Sequence, residues 1–243
     1  NADAADCGFE RVIENVAKTR LSGPSKLSAE DAWQQTRSSY YRTLLGRGLQ
    51  TYQRSEDRQN PLMLGAIAST DNHFGTAGRV TEEGYRGSIA SLFSTDEQVL
   101  NSTQFNPGGL VAVWANHNTR GEIFDALHRR EAYATSGPRI SLQFSAGPES
   151  ACAAHPRVQK DHTAMGGTLP GATQAGVYFT VSAQMDQTPL AKLQLVKGEL
   201  WEGELRETVL DLFHAEEGQA QTCVAWLDED FNPNAPSYWY ARA

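Results

Sequence analysis

Leu62-Met63-Leu64-Gly65-Ala66-Ile67-Ala68 runs straight into Ser69-Thr70-Asp71-Asn72-His73, and the architecture turns on what these twelve residues do. The first seven are apolar or glycine without alternation, and the run has the length of a strand. A strand without a polar face is one buried on both sides, as in parallel sheets. Successive side chains of a strand alternate, so Asp71 and His73, two apart, point to the same side. A carboxylate oxygen and an imidazole nitrogen converging there suit zinc, manganese or iron, which accept mixed oxygen and nitrogen donors. An arbitrary Asp-x-His run is more often a capping carboxylate beside a satisfied core histidine. At the end of an apolar strand, where the active-site loops of α/β barrels gather, the metal-ligand alternative gains weight.

Working outward, a loop punctuated by Gly75, Gly78, Gly84 and Gly87 carries Arg79 and Arg86, two cations that could meet an anionic substrate. A second apolar strand is expected over Leu110 to Trp114. Thr119 and Glu122 then form a capping box for a helix whose apolar side is Ile123, Phe124, Ala126 and Leu127. Upstream, Ser28 caps an expected helix from Ala29 to Leu45, ended by Gly46 and Gly48, and a polar loop from Gln53 to Asn60 follows. Strand, loop, strand and helix form an α/β pattern. The pattern changes at Gly137-Pro138. Beyond it Ile140 to Phe144, Val177 to Ala183, Leu193 to Val196, Thr208 to Phe213, Thr222 to Trp226 and Tyr238 to Ala241 read as short strands between Gly, Pro and Asn turns. The expected organisation is therefore an α/β part over residues 1–137 and a β-sandwich-like domain over 138–243.

Composition narrows the function classes. The net charge of −8 and the dispersed basic residues exclude a broad nucleic-acid surface. The densest basic cluster, His128-Arg129-Arg130, fits a solvated helix end. No apolar run reaches the ~20 residues that span a bilayer. There is no Gly-x-Ser-x-Gly elbow, Walker loop or dinucleotide fingerprint. None of Cys7, Cys152 and Cys223 forms a CxxC pair, which argues against a structural zinc module. One disulfide and one thiol are possible, with Cys152 and Cys223 the favoured pair because they share the β-rich segment.

The run from Gly65 to Gly75 resembles the closing metal motif of the PHP (polymerase and histidinol phosphatase) superfamily of metal-dependent phosphoesterases. Asn106-Pro107-Gly108-Gly109-Leu110-Val111-Ala112-Val113-Trp114-Ala115, Asn118-Thr119-Arg120, Ile123 to Leu127 and Arg129 to Ile140 resemble a PHP-like bacterial group, the domain-of-unknown-function family 3604. Met165-Gly166-Gly167, Leu193 to Gly198 and Asp228 to Pro233 match further. The resemblance implies the C-terminal part of a distorted (β/α) barrel with a β domain appended, in an exported, periplasmic or extracellular hydrolase of small anionic substrates. It implies two or three transition-metal ions (zinc, manganese or iron) in the complete protein. Asp71 and His73 would be ligands, and the others, including an HxH pair, would lie in an N-terminal half absent from this chain. His117 stands where an acidic residue is called for and is not counted as a ligand. Arg139, behind Thr135-Ser136-Gly137-Pro138, has a guanidinium suited to bidentate capture of phosphate or carboxylate; pairing with an acid at the domain seam is the alternative. The expected chemistry is phosphate mono- or diester hydrolysis, for which metal ions lower the pKa of water and hold phosphoryl oxygens. Carbamate, ester or amide hydrolysis by the same means, or a non-catalytic binding module, are the competing expectations. With two donors the chain alone is expected to hold metal weakly and to be inactive.

Overall fold

The computed structural model describes residues 40–70, 72, 108–152, 161–169 and 176–243. Helix α1 spans Tyr41–Arg54. A two-stranded ribbon follows, β1 at Gly109–Val113 and β2 at Ala132–Ser136, with helix α2 (Arg120–His128) between them. The remaining strands are β3 (Ser141–Gly147), β4 (Thr163–Ala164), β5 (Val177–Gln184), β6 (Leu190–Trp201), β7 (Glu204–Gln219), β8 (Gln221–Asp228) and β9 (Ser237–Arg242). They form a four-stranded sheet in the order β4-β3-β5-β8 and a three-stranded sheet in the order β7-β6-β9.

The expected (β/α) barrel is overturned. Every strand pair whose register is resolved is antiparallel, β1 with β2 included, and no barrel is present among the described residues. The local cause lies in the connection. Trp114, just after β1, donates its backbone N–H to the carbonyl of Glu131, just before β2, at 2.9 Å. Helix α2 has thus returned the chain to the point it left, and the next strand can only run back alongside β1. Leu62 to Ala68 is a second correction. The run belongs to no strand, and Met63, Leu64 and Ile67 are exposed, Ile67 at 68%. Apolar character matched the length of a strand but did not place this segment in a sheet.

Helix boundaries also moved. Gly46 and Gly48 lie inside α1 and are buried rather than ending it. A Cβ on Gly46 would collide with the Leu205 side chain, so the residue that breaks an isolated helix permits close packing in this one. The N-cap half of the expected capping box is present: Thr119 accepts a hydrogen bond from the backbone N–H of Glu122 at 3.3 Å, while its own N–H donates to the His117 carbonyl at 2.8 Å. Of the apolar side expected on α2, however, only Ala126 is buried, while Phe124 and Leu127 are exposed.

After Pro138 each expected strand overlaps an observed one, with Ile140 alone falling just before β3 and β4 unanticipated, because alternation is legible there. On β5, Val177, Phe179, Val181 and Ala183 are buried toward the second sheet. They meet Leu190, Leu193 and Leu195 of β6 and Leu210 and Leu212 of β7 in two adjoining apolar clusters. Phe179, 1% exposed, lies at the centre of an aromatic stack, with Phe144 at 6.1 Å, Trp226 at 6.1 Å and Trp239 at 4.7 Å. Burying such a side chain contributes about 1.5–3 kcal/mol, so this stack anchors the sheet pair.

By compactness the chain divides into two units. One holds, among the described residues, 40–63, Lys197–Thr208 and Ala235–Tyr238. Within it Arg42 pairs with Glu207 at 3.0 Å, and the Tyr238 hydroxyl donates to the same carboxylate at 3.0 Å. The other unit contains the ribbon, α2 and both apolar clusters. A disulfide joins Cys152 to Cys223.

Candidate functional site

Of the five residues singled out for chemistry, Arg139 is described; Asp71, His73, Arg79 and Arg86 lie outside the described residues. The described residues that adjoin them in sequence, and those that pack against these, can be built from the chain upward. Thr70 is the buried residue of a stretch that is otherwise exposed or half-buried, 8% accessible, and its Oγ1 accepts the backbone N–H of Asn72 at 3.3 Å. Five residues upstream, Gly65 lies against Arg130, whose Cβ stands 3.3 Å from where a Cβ on Gly65 would be.

Arg130 is a fixed point of this region. Its guanidinium donates from Nε and Nη2 to the Gly166 carbonyl, at 3.1 and 2.9 Å. Gly166 has φ +81°, and a Cβ there would strike the carbonyl oxygens of Arg129 and Arg130. Only glycine satisfies both demands. Arg129 pairs with Glu131 at 3.1 Å, a bond that raises the guanidinium pKa above its usual value. His128 and Arg129 form the exposed, basic helix end that their spacing suggested; Arg130 does more, fastening the α2–β2 turn to the Met165-Gly166-Gly167 turn. Nothing in local spacing reveals a bond spanning 36 residues.

The far end of the ribbon is equally tight. A Cβ on Gly108 would lie 2.6–2.7 Å from backbone atoms of Gly137, and Thr135 Oγ1 donates to the Gly108 carbonyl at 2.6 Å. The ribbon is pinned to β3 by Trp114, whose indole N–H donates to the Leu142 carbonyl at 2.9 Å. Tyr133 adds a second pin: its hydroxyl donates to the Ile140 carbonyl at 3.1 Å and accepts from the Leu142 N–H at 3.2 Å.

Arg139 follows this end of the ribbon, exposed, with its backbone N–H directed at Asp186 Oδ2 at 3.4 Å. Gly65 contacts the opposite end, where β2 begins. Five ribbon residues at ~3.3 Å each lie between the two ends. Among the described residues there is no group of three or more His, Cys, Asp and Glu side chains able to hold a metal ion. His162 bonds the Glu149 carbonyl through Nε2 at 2.9 Å, and His128 stacks on Phe124 at 6.2 Å. Neither forms part of such a group.

Residues 15–217 match the family described as protein of unknown function (DUF3604). The chain belongs to this family. The DUF3604 match includes all five candidate residues, the Arg130–Gly166 clamp and the Gly108–Gly137 contact. The chain is also 29% identical over 98 residues to an uncharacterized protein of Chlamydia trachomatis serovar D, covering 38% of this chain and 16% of that protein. It is 30% identical over 103 residues to an uncharacterized protein of Chlamydia muridarum, with 38% and 16% covered. The match thus spans about a sixth of either relative, 16% of its length. No solved structure matches the chain. No helix among the described residues is long and apolar enough to cross a membrane.

Proposed function

We propose that this DUF3604 chain is part of a PHP-like metal-dependent hydrolase of phosphate mono- or diesters, in which Asp71 and His73 are metal ligands. The observation that supports this reading is at Thr70, which is buried and whose hydroxyl accepts the backbone N–H of Asn72 beside the motif. The donor set of one carboxylate and one imidazole fits zinc, manganese or iron, which would supply Lewis acidity toward water and a phosphoryl oxygen. Two donors fill half of a four-coordinate shell. The remaining ligands therefore belong to parts of the complete protein outside this chain, in keeping with a match that covers 16% of each relative. The exposed apolar side chains of Leu64, Ile67 and Phe124 are suited to contact those parts. Arg139, exposed and rigidly preceded by the Gly108–Gly137 contact, serves as anchor for the anionic group, with Arg79 and Arg86 as further cations. The disulfide favours an oxidising compartment, periplasmic or extracellular.

The test is metal analysis of the complete protein together with a screen of phosphate mono- and diesters. Asp71→Ala and His73→Ala are each expected to lose stoichiometric metal and to lower activity by more than the ~10–100-fold typical of outer-shell changes. Metal content and turnover unchanged in both variants would overturn the assignment. Hydrolysis confined to carbamates, esters or amides would keep the ligands and replace the substrate class. A complete protein that purifies without metal would favour a binding module instead.

A further inference from the structure

The sheet β4-β3-β5-β8 has two faces, and the apolar core occupies one of them. On β5, Phe179 and Val181 point into that core, so Thr180 and Ser182 point to the other face. Thr180 is 4% exposed and pairs across to Ser145 of β3, itself 2% exposed. Ser182 pairs with Cys223 of β8. Two buried hydroxyls and a disulfide sulfur thus share the face away from the core.

The segment leaving β3, Pro148 to Cys152, reaches this face. Pro148, Glu149 and Ser150 are exposed, whereas Ala151 is 4% exposed and donates its N–H to Thr180 Oγ1 at 3.1 Å. The next residue, Cys152, is exposed and bonded to Cys223. The segment is held by two hydrogen bonds, Ala151 N–H to Thr180 and the Glu149 carbonyl to His162 Nε2 at 2.9 Å, and by one covalent bond. Without the covalent bond, two net hydrogen bonds and one buried methyl group, together worth about 2–4 kcal/mol, do not offset the roughly 5–10 kcal/mol of entropy lost in ordering five residues. A further bias favours release. The Ser145 hydroxyl is buried with no hydrogen-bond partner among the described residues, a cost relieved when water arrives beside it. Neither cysteine contributes to the two core clusters, so the sheet pair does not depend on the bond.

We propose that Cys152–Cys223 is a redox-operated clasp. A dithiol reductant opens it: one thiolate attacks a disulfide sulfur and forms a mixed disulfide, and the second thiol displaces the remaining cysteine. The reductant leaves as a disulfide, and Cys152 and Cys223 are left as thiols. The segment from Pro148 to Cys152 then lifts, and Thr180 and Ser145 become accessible to water while the core stays packed. Exposure of Cys152 gives the reductant its point of attack.

Hydrogen exchange of the oxidised and dithiothreitol-reduced protein, read beside near-ultraviolet circular dichroism, tests the clasp. On reduction the Ala151 amide should exchange at least about tenfold faster, with the amides of Phe179 and Val181 and the aromatic dichroism retained. Oxidised glutathione should restore protection. A Cys152→Ser, Cys223→Ser variant should match the reduced protein without any reductant. Continued protection of Ala151 in the reduced protein overturns the proposal. So does loss of protection at Ala151 and Phe179 together, which would make the disulfide a staple of the whole fold; if the double variant fails to fold, the reduced wild-type protein decides between these results.

Discussion

Gly166 carries two separate demands, a left-handed backbone at φ +81° and a surface bare enough for the carbonyls of Arg129 and Arg130 to lie against it. Gly166→Ala is therefore expected to cost about 2–3 kcal/mol in urea unfolding, more than backbone strain alone. Arg130→Met removes the charged donor to the Gly166 carbonyl and should cost about 1.5–3 kcal/mol, with Arg130→Lys between that and wild type. Asp211 sets a smaller, pH-dependent term. Hydrogen bonds from Gln194 and Lys192 hold its carboxyl below the ordinary value of 3.8. A depressed carboxyl pKa stabilises the fold above the unfolded-state value, and the gain is lost as pH falls through the folded-state value. Stability of wild type relative to Asp211→Asn should thus be greatest above pH 3.8 and shrink in more acid solution, measured as urea midpoints against pH. The difference should be small, because the carboxylate is exposed and its attractions are screened by solvent. Neither the Arg130 clamp nor this trio is readable from neighbours in sequence, since each joins residues more than a dozen positions apart.

At the scale of elements, strands past Pro138 were legible because one face of each is apolar and the other is not. Phe179 shows what the inward face is worth: Phe179→Ala should cost about 3–5 kcal/mol, whereas Phe124→Ala on the exposed side of α2 should stay within about 0.5 kcal/mol. Equal results for the two in thermal or chemical unfolding would contradict the placement of the core. Sequence was a poor guide wherever apolar character lacked alternation. Leu62 to Ala68 promised a buried strand and lies exposed outside every sheet, while β2, the short run Ala132–Ser136, was not anticipated. Apolar content specifies a wish to be covered; it does not specify by what. Asp71 and His73 lie outside the described residues, and among the described residues no group of three or more His, Cys, Asp and Glu side chains is placed to hold a metal ion.

For the molecule as a whole, the expected barrel failed on connectivity: a ribbon that turns back on itself cannot continue a parallel sheet. The Cys152–Cys223 link encloses a sequence separation of 71. Because reduction is expected to free the segment ending at Cys152 and to leave the core packed, the sheet pair should lose far less than the ~4 kcal/mol that the chain-entropy description assigns to a fold that stays rigid; unfolding midpoints with and without dithiothreitol measure this, with one cooperative transition retained.

The strand order β7-β6-β9 has a consequence in time. β6 finds one neighbour at once, across the two-residue turn Glu202-Gly203, but the other, β9, is not complete until Arg242 has been made. During synthesis the open side of β6, a row of unpaired backbone groups flanked by Leu193 and Leu195, must wait for its closing strand. That interval is when the nascent chain is most prone to pair with another molecule, and when a chaperone would matter most.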